Sequence, residues 1–157
     1  MLEQISTYFS IEMVYLWLNI GVIPFWLVLI FLPNSKLGSI FVSSIFPIIV
    51  LSGAYIYIIY KTYLGSYDFD NNFSLYLGIR YLSELFSKDE FLIIFWTHFL
   101  AVNLFCGSWM SKDGSRLFIS KYLMFIPLLI TYFVGPIGIF IYWIIRIFYA
   151  KKISLYD

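Results

Sequence analysis

The feature that most constrains this chain is a series of four apolar runs, each about as long as a membrane-crossing helix. They lie at about Met13 to Leu32, Ile40 to Tyr60, Phe91 to Met110 and Tyr122 to Ile145. A helix needs about 20 apolar residues to cross the roughly 30 Å of hydrocarbon in a bilayer. The runs do not alternate every second residue, as the strands of a membrane barrel do. The sequence therefore predicts an all-α, polytopic integral membrane protein with four transmembrane helices in one domain, residues 1–157.

The composition supports lipid as the main solvent. Of 157 residues, 62% are hydrophobic and 12% are charged, whereas a soluble domain has roughly 25% charged residues. The formal net charge of +1 argues against a nucleic-acid partner, so the expected partner is the bilayer itself. With one cysteine, Cys106, and one histidine, we expect no disulfide, no metal site and no cofactor. Cys106 is interpreted as a small apolar filler.

The basic residues give a weak prediction of orientation. The start of the chain lacks the positive region of a cleavable signal, so we expect the first run to remain in the mature protein. Four spans would place both termini and the long connection on one side, and the larger number of basic residues there favours termini in the cytoplasm. That side would carry Lys61, Arg80, Lys88, Arg146, Lys151 and Lys152, against Lys36, Lys112, Arg116 and Lys121 on the other.

The connection between the second and third runs predicts a short helix in the membrane interface. It opens with a turn-rich stretch at 67–72, after which apolar residues recur at helical spacing. These are Leu75, Ile79, Leu82 and Phe86. Ser87 and Glu90 have the spacing of a capping box at the start of the third span, with Phe86 and Phe91 as its hydrophobic staple.

Polar residues inside the runs are candidate functional groups because an ionisable side chain at the bilayer centre costs roughly 2.5–3.5 kcal/mol. At the beginning of the first run and just before it, Tyr8, Glu12, Tyr15 and Asn19 fall on one helical face, and Trp26 lies seven residues beyond Asn19. Glu12 is either a headgroup-level carboxylate or part of a site. Asn19 either hydrogen-bonds a neighbouring helix or contacts a ligand.

The third run carries the only histidine, His98, and also Asn103. These two residues are separated by about 140° around a helix, so they could flank a cavity but could not grip one atom together. An imidazole exchanges protons near neutral pH, which suits His98 to proton transfer. The alternative is a neutral histidine held by one interhelical hydrogen bond.

The fourth run contains Gly135-Pro136, which should kink the helix because proline interrupts the hydrogen-bond ladder. Gly138 lies three residues beyond Gly135 and gives the same face a second small residue. Such a face favours either close helix packing or an opening that admits a ligand.

Two segments resemble a known family. Trp96-Thr97-His98-Phe99-Leu100-Ala101-Val102-Asn103-Leu104-Phe105 is similar to the "W-x-H-x-L-x-x-D-L-F" segment of the membrane proteins named for abscisic acid deficiency in plants, the neoxanthin synthase-like family. The segment 135–138, Gly-Pro-Ile-Gly, resembles that family's "G/C-P-x-G" segment. The similarity runs from about Pro24 to Arg146. The chain resembles the small bacterial members, which implies a place in a bacterial inner membrane.

The resemblance implies a four-helix membrane protein related to enzymes required for converting violaxanthin to neoxanthin, an isomerisation that needs an acid and a base but no redox cofactor. Asn103 stands where the family has Asp, and a carboxamide cannot exchange a proton in the same way. The chain is therefore interpreted as a carotenoid- or isoprenoid-modifying isomerase, or as a non-enzymatic membrane bundle that binds such a lipid or assists assembly. A small transporter is a third possibility.

The candidate residues follow from these hypotheses. The proposed catalytic group comprises His98, Asn103 and Glu12, with His98 transferring the proton and the other two orienting it or the substrate. The proposed substrate-binding residues are Trp96, Trp109, Trp26, Asn19, Gly135, Pro136 and Gly138.

Overall fold

The computed structural model describes residues 10–32, 35–36, 38, 46–64 and 76–151. Throughout these ranges the regular structure is helical, which confirms the all-α prediction for the described part of the chain. The helices are α1 (Ile11–Phe31), α2 (Phe46–Leu64), α3 (Ile79–Phe86), α4 (Asp89–Arg116), α5 (Lys121–Val134) and α6 (Pro136–Ala150). Several predicted features lie outside the described residues: the start of the second span, Tyr8, Leu75 and the turn at 67–72.

Helices α1 and α4, with 21 and 28 residues, are long and apolar enough to cross a membrane by length and composition. The other apolar helices that the structure describes, α2, α5 and α6, are shorter over their apolar parts. Two of the four predicted spans thus have the length that the prediction requires, and the full four-span arrangement stays a prediction.

The chain divides into two compact units. Unit one comprises Met1–Gly21 and Ile49–Ala101, and unit two comprises Val22–Ile48 and Val102–Asp157. Helices α1 and α4 each contribute residues to both units.

In unit one, α3 exists as predicted, and its predicted apolar face is partly buried, with Leu82 and Phe86 half-buried. Leu85 is its buried residue, at 2% exposure, whereas Ile79 on the predicted apolar face is 82% exposed. The Phe86 ring packs edge-on against Phe91 and Phe95, with centroid distances of 5.3 and 4.7 Å. The predicted contact between Phe86 and Phe91 is therefore confirmed.

The predicted capping box is wrong. Ser87 has helical dihedral angles and ends α3, and its hydroxyl donates to the carbonyl of Glu84 at 2.6 Å. An N-cap residue needs a non-helical backbone so that its side chain can turn toward the next helix. Because Ser87 completes α3, it is not available to begin α4, which starts at Asp89.

In unit two, the predicted single fourth span is instead a hairpin of two antiparallel helices. Gly135 lies at the turn between α5 and α6, with φ +46° and ψ −88°. Two turns beyond Thr131 along the sequence, Gly138 packs so closely that a Cβ there would collide with the Thr131 hydroxyl and the carbonyl of Pro127. A kinked but continuous helix would keep Gly138 about 10 Å from Thr131 along the axis. Pro136 cannot continue the α5 hydrogen-bond ladder, and Gly135 adopts the positive φ without a Cβ penalty.

The hairpin packs along the second half of α4. Its turn, at Gly135, lies against Asn103, and the beginning of α5 lies against the end of α4, where Met124 contacts Gly114. Helix α4 continues to Arg116, through residues 111–116 that lie beyond the predicted end of the third span at Met110. The packing against α5 gives those residues a tertiary reason to remain helical.

Candidate functional site

The first two turns of α1 and the first two turns of α4 form a groove in unit one with a volume of about 480 Å³. This volume lies within the range of roughly 300–1,000 Å³ that is typical of small-molecule sites. The wall is mostly apolar and aromatic, and two carboxylates lie along it. The lining residues are Ile11, Glu12, Tyr15, Asp89, Leu92, Ile93 and Trp96.

Asn19 fixes the aromatic wall of this groove. The indole nitrogen of Trp96 donates to Asn19 Oδ1 at 3.3 Å, and Asn19 Nδ2 donates to the carbonyl of Tyr15 at 2.7 Å. The Tyr15 and Trp96 rings are tilted by 40° with centroids 5.9 Å apart. Asn19 thus bonds a neighbouring helix, as one of its two predicted readings requires, and it orients the Trp96 indole in the groove.

The two carboxylates occupy the first turns of their helices, Glu12 in α1 and Asp89 in α4. Acidic residues are favourable there because helix N-termini carry partial positive charge. Both side chains are exposed, so each can ionise at little cost. An ionised carboxylate accepts a proton and a protonated one donates it, which is what an acid–base reaction needs.

Asp89 is the groove residue that the sequence analysis did not select as functional. The signal was present: Asp89, Leu92, Ile93 and Trp96 recur at helical spacing, so Asp89 shares a face with a predicted substrate-binding residue. It was missed because the capping-box interpretation assigned Ser87 through Glu90 to helix initiation.

His98 also belongs to unit one but does not line this groove. Its side chain is exposed, and its ring centroid lies 6.3 Å from that of Tyr55. Among the described residues His98 has this ring contact and no hydrogen bond. The role of His98 in proton transfer stays a prediction.

In unit two, Asn103 is buried at the turn of the hairpin. It is 5% exposed, and its Nδ2 has no hydrogen-bond partner among the residues that the structure describes. Its Oδ1 lies where a Cβ on Gly135 would be. Asn103, Gly135, Pro136 and Gly138 are thereby brought to one end of the hairpin.

Trp26 and Trp109, the two predicted tryptophans of unit two, pack against other side chains of that unit. Trp26 is buried, meets the Tyr132 ring edge-on at 5.4 Å and covers Gly107. Trp109 meets the ring of Tyr142 at 5.5 Å. Both therefore serve the packing of unit two, and their part in ligand binding stays a prediction.

A buried charged cluster near the open end of the hairpin was not predicted. The hydroxyl of Tyr142 and the Nε of Arg146 both donate to Asp113 Oδ2, at 2.6 and 2.7 Å. Tyr142 is 0% exposed, and the Arg146 guanidinium also lies 5.3 Å from the ring centroid of Trp143. Tyr142 and Arg146 are four residues apart on one helical face, but the sequence did not indicate that this face meets Asp113.

Nothing in the described residues suggests a metal centre, since they contain no group of three or more His, Cys, Asp or Glu side chains able to hold an ion. Cys106 is half-buried and free.

The comparisons with known proteins bear on the chain as a whole. The ABA DEFICIENT 4-like family matches residues 13–142, which include Asp89, Trp96 and Asn103 and begin one residue after Glu12. A curated relative, Protein ABA DEFICIENT 4, chloroplastic, of Arabidopsis thaliana, is 26% identical over 124 residues. The match covers 73% of this chain and 56% of the relative, so the chain spans about half the length of that protein. No solved structure matches the chain. The match over most of the sequence shows that the chain belongs to the ABA DEFICIENT 4-like family.

Proposed function

We propose that this chain is an integral membrane protein that isomerises an oxygenated isoprenoid, such as an epoxy-carotenoid, by proton transfer. The observation that carries the proposal is the groove of unit one, where Glu12 and Asp89 line the same aromatic wall. Family membership supports the substrate class, because the resemblance implies a carotenoid isomerisation for the plant members.

The reaction needs one proton to leave carbon and one to arrive at oxygen. In the opening of an epoxide to an allenic alcohol, a base removes a proton from the polyene carbon next to the ring. The carbon–oxygen bond of the epoxide breaks, and an acid protonates that oxygen, so the product has the mass of the substrate. One of the two carboxylates, Glu12 or Asp89, takes the proton from carbon and returns it to water, and the other passes a proton from water to the epoxide oxygen. Trp96 with Tyr15 supplies an apolar face for the ring.

The position of the groove suits such a ligand. Glu12 and Asp89 stand at the beginnings of the two helices that are long enough to cross a membrane. Carboxylates at headgroup level ionise at much smaller cost than at the bilayer centre. The expected ligand matches this arrangement, because its oxygenated end ring is polar and its polyene chain is apolar.

The hairpin suggests a membrane topology of three spans and one re-entrant element. Helices α5 and α6, with 14 and 15 residues, are about 21–22 Å long and so shorter than the hydrocarbon layer. If the hairpin enters and leaves on one side, that side carries Lys36, Lys112, Arg116, Lys121, Arg146, Lys151 and Lys152. Only Lys61, Arg80 and Lys88 remain on the other. The positive-inside rule then places the end of α6 in the cytoplasm and the beginning of α1 outside, in the inner membrane of a bacterium.

Labelling of single cysteines tests this topology. In a Cys106→Ala background, a membrane-impermeant maleimide should label Arg80→Cys in intact spheroplasts and label Lys151→Cys only after lysis. Labelling of both positions only after lysis would restore the four-span arrangement with its ends in the cytoplasm.

Pigment analysis tests the isomerase. The protein is expressed in a bacterium that accumulates violaxanthin, and pigments are separated by chromatography with mass detection. We expect a new isomer of unchanged mass, which Glu12→Gln and Asp89→Asn each reduce by roughly 10²–10⁴-fold, the range for losing general acid–base catalysis. Glu90→Gln is the matched control, because Glu90 is an exposed carboxylate beside Asp89 that does not line the groove. An unchanged pigment profile with violaxanthin present would contradict the neoxanthin-type reaction.

A non-enzymatic isoprenoid-binding protein is the second candidate. The observation that favours it is Asn103, a buried amide where the resemblance places an acid in the family. If the family reaction needs that acid, this chain retains binding without conversion. It would then purify with stoichiometric, unmodified pigment, and Glu12→Gln would leave the pigment composition unchanged.

A further inference from the structure

The turn of the hairpin lies at the middle of α4. Asn103 is residue 15 of the 28 residues in α4, counting from Asp89, and the Gly135 backbone lies against its amide. In a membrane, non-helical backbone at this depth occurs where protein buries it or where it faces a cavity.

At the hairpin turn, the Asn103 side chain has a hydrogen-bond donor, Nδ2, without an acceptor in the described part of the chain. Asn103 is 5% exposed, and its Nδ2 has no partner within the described ranges. A buried donor without an acceptor is unfavourable, and native proteins contain few of them. Its retention is explained if a ligand atom completes the hydrogen bond.

The first turn of α6 adds a second source of positive potential. Helix α6 has 15 residues, starts after Gly135 and has no side-chain cap. The first N–H groups of any helix lack intrahelical partners, and its dipole favours electron-rich atoms there. Both features of the hairpin turn therefore favour an oxygen acceptor.

The surroundings select against an ion. Asn103 is buried and uncharged, and the charged cluster of the same unit, at Asp113, is internally paired with Arg146. An isolated ion in apolar surroundings carries a large desolvation cost, whereas a neutral oxygen does not.

We propose that the turn of the hairpin is a second ligand site, which binds a neutral apolar molecule by one acceptor oxygen, such as that of a ketone, alcohol or ether. Asn103 Nδ2 donates the hydrogen bond. The ligand enters as the hairpin turn separates from α4, since Nδ2 is covered in the structure. This site lies wholly in unit two and does not depend on the acid–base reaction proposed for unit one.

The test compares 2-undecanone with undecane, which have similar apolar chains but differ in the acceptor oxygen. With the full chain purified in detergent, we expect the ketone to bind roughly five- to a hundredfold more tightly than the alkane, the range set by one hydrogen bond to a buried donor. The affinities come from the ligand-dependent rise of the unfolding temperature. Asn103→Leu should abolish the preference, and Thr62→Val, which removes a buried hydroxyl of unit one that already donates to the Ile58 carbonyl, should keep it.

Infrared spectroscopy gives a measurement that does not require a variant to fold. With ¹³C-labelled carbonyl, the bound ketone should show a band shifted to lower frequency in the wild-type protein. Equal binding of ketone and alkane, survival of the preference in Asn103→Leu, or a carbonyl band identical to that in empty micelles would each overturn the proposal.

Discussion

The buried pair of Asp113 and Arg146 offers the sharpest test of the hairpin. Arg146 Nε lies 2.7 Å from Asp113 Oδ2, and their side chains are 3% and 9% exposed. Arg146→Met keeps much of the apolar length but leaves the Asp113 carboxylate buried with the Tyr142 hydroxyl as its remaining partner. Removing one partner of a buried ion pair costs about 3–5 kcal/mol, because the other charge stays uncompensated.

Thermal unfolding in detergent measures this cost. For a chain of this length about 1 kcal/mol corresponds to 2–4 °C, so Arg146→Met should lower the midpoint by roughly 6–20 °C. The double variant Asp113→Asn with Arg146→Met removes both charges and lets Tyr142 donate to the new amide oxygen. It should recover most of the loss, since replacing a whole buried pair is often neutral. Lys112→Met, at an exposed neighbouring position, should change stability by no more than about 0.5 kcal/mol.

The double variant decides whether the reasoning is right. A strong positive coupling between the two substitutions means that Asp113 and Arg146 interact in the folded protein. If Arg146→Met unfolds within about 1 °C of the wild type, or if the two losses simply add, then α6 does not pack against α4 as described, and the hairpin topology fails with it.

Three further substitutions have defined outcomes. Asn103→Leu should raise the stability of the ligand-free protein by about 1–3 kcal/mol, seen as a higher unfolding midpoint, because it removes an unpaired buried donor. A lower midpoint would mean that the amide is satisfied. Gly135→Ala should destabilise by at least about 1–2 kcal/mol, since φ is +46° and the new methyl would meet Asn103, and an unchanged chemical-denaturation midpoint would argue against that turn. His98→Ala should leave pigment conversion intact if the groove carboxylates carry the protons, and loss of conversion in a folded variant would return that role to His98.

Hydropathy predicted the long helices well. The first run, at about 13–32, corresponds to α1 at Ile11–Phe31, because an uninterrupted apolar segment has few alternatives to a helix. Helical periodicity also placed Glu12, Tyr15 and Asn19 on one face, and all three meet either the groove or Trp96.

The hairpin could not be predicted from the same signals. Gly135-Pro136 indicated where the backbone breaks, but a kinked span and a folded-back pair of helices expose similar apolar residues to lipid. The two arrangements differ in contacts such as that of Thr131 with Gly138, which a folded-back pair makes and a continuous helix keeps apart. The extension of α4 beyond Met110 has the same origin, since it depends on packing against α5.

Part of the candidate site was hidden by a competing local signal. Asp89 lies between Ser87 and Glu90, whose spacing fits a capping box, and that motif assigned the segment to helix initiation without reference to the groove. Ser87 could cap either of two adjoining helices. The geometry of the turn between them decides which one, and residue spacing alone does not predict that geometry.

The most direct test of the central claim is conversion of violaxanthin by the purified protein in liposomes, with the groove carboxylates altered one at a time. We predict a product of identical mass and different retention from the wild type and from Glu90→Gln, and a rate at least about 100-fold lower from Glu12→Gln and from Asp89→Asn. Conversion at the wild-type rate by both groove variants would contradict the assignment of this groove as the acid–base site.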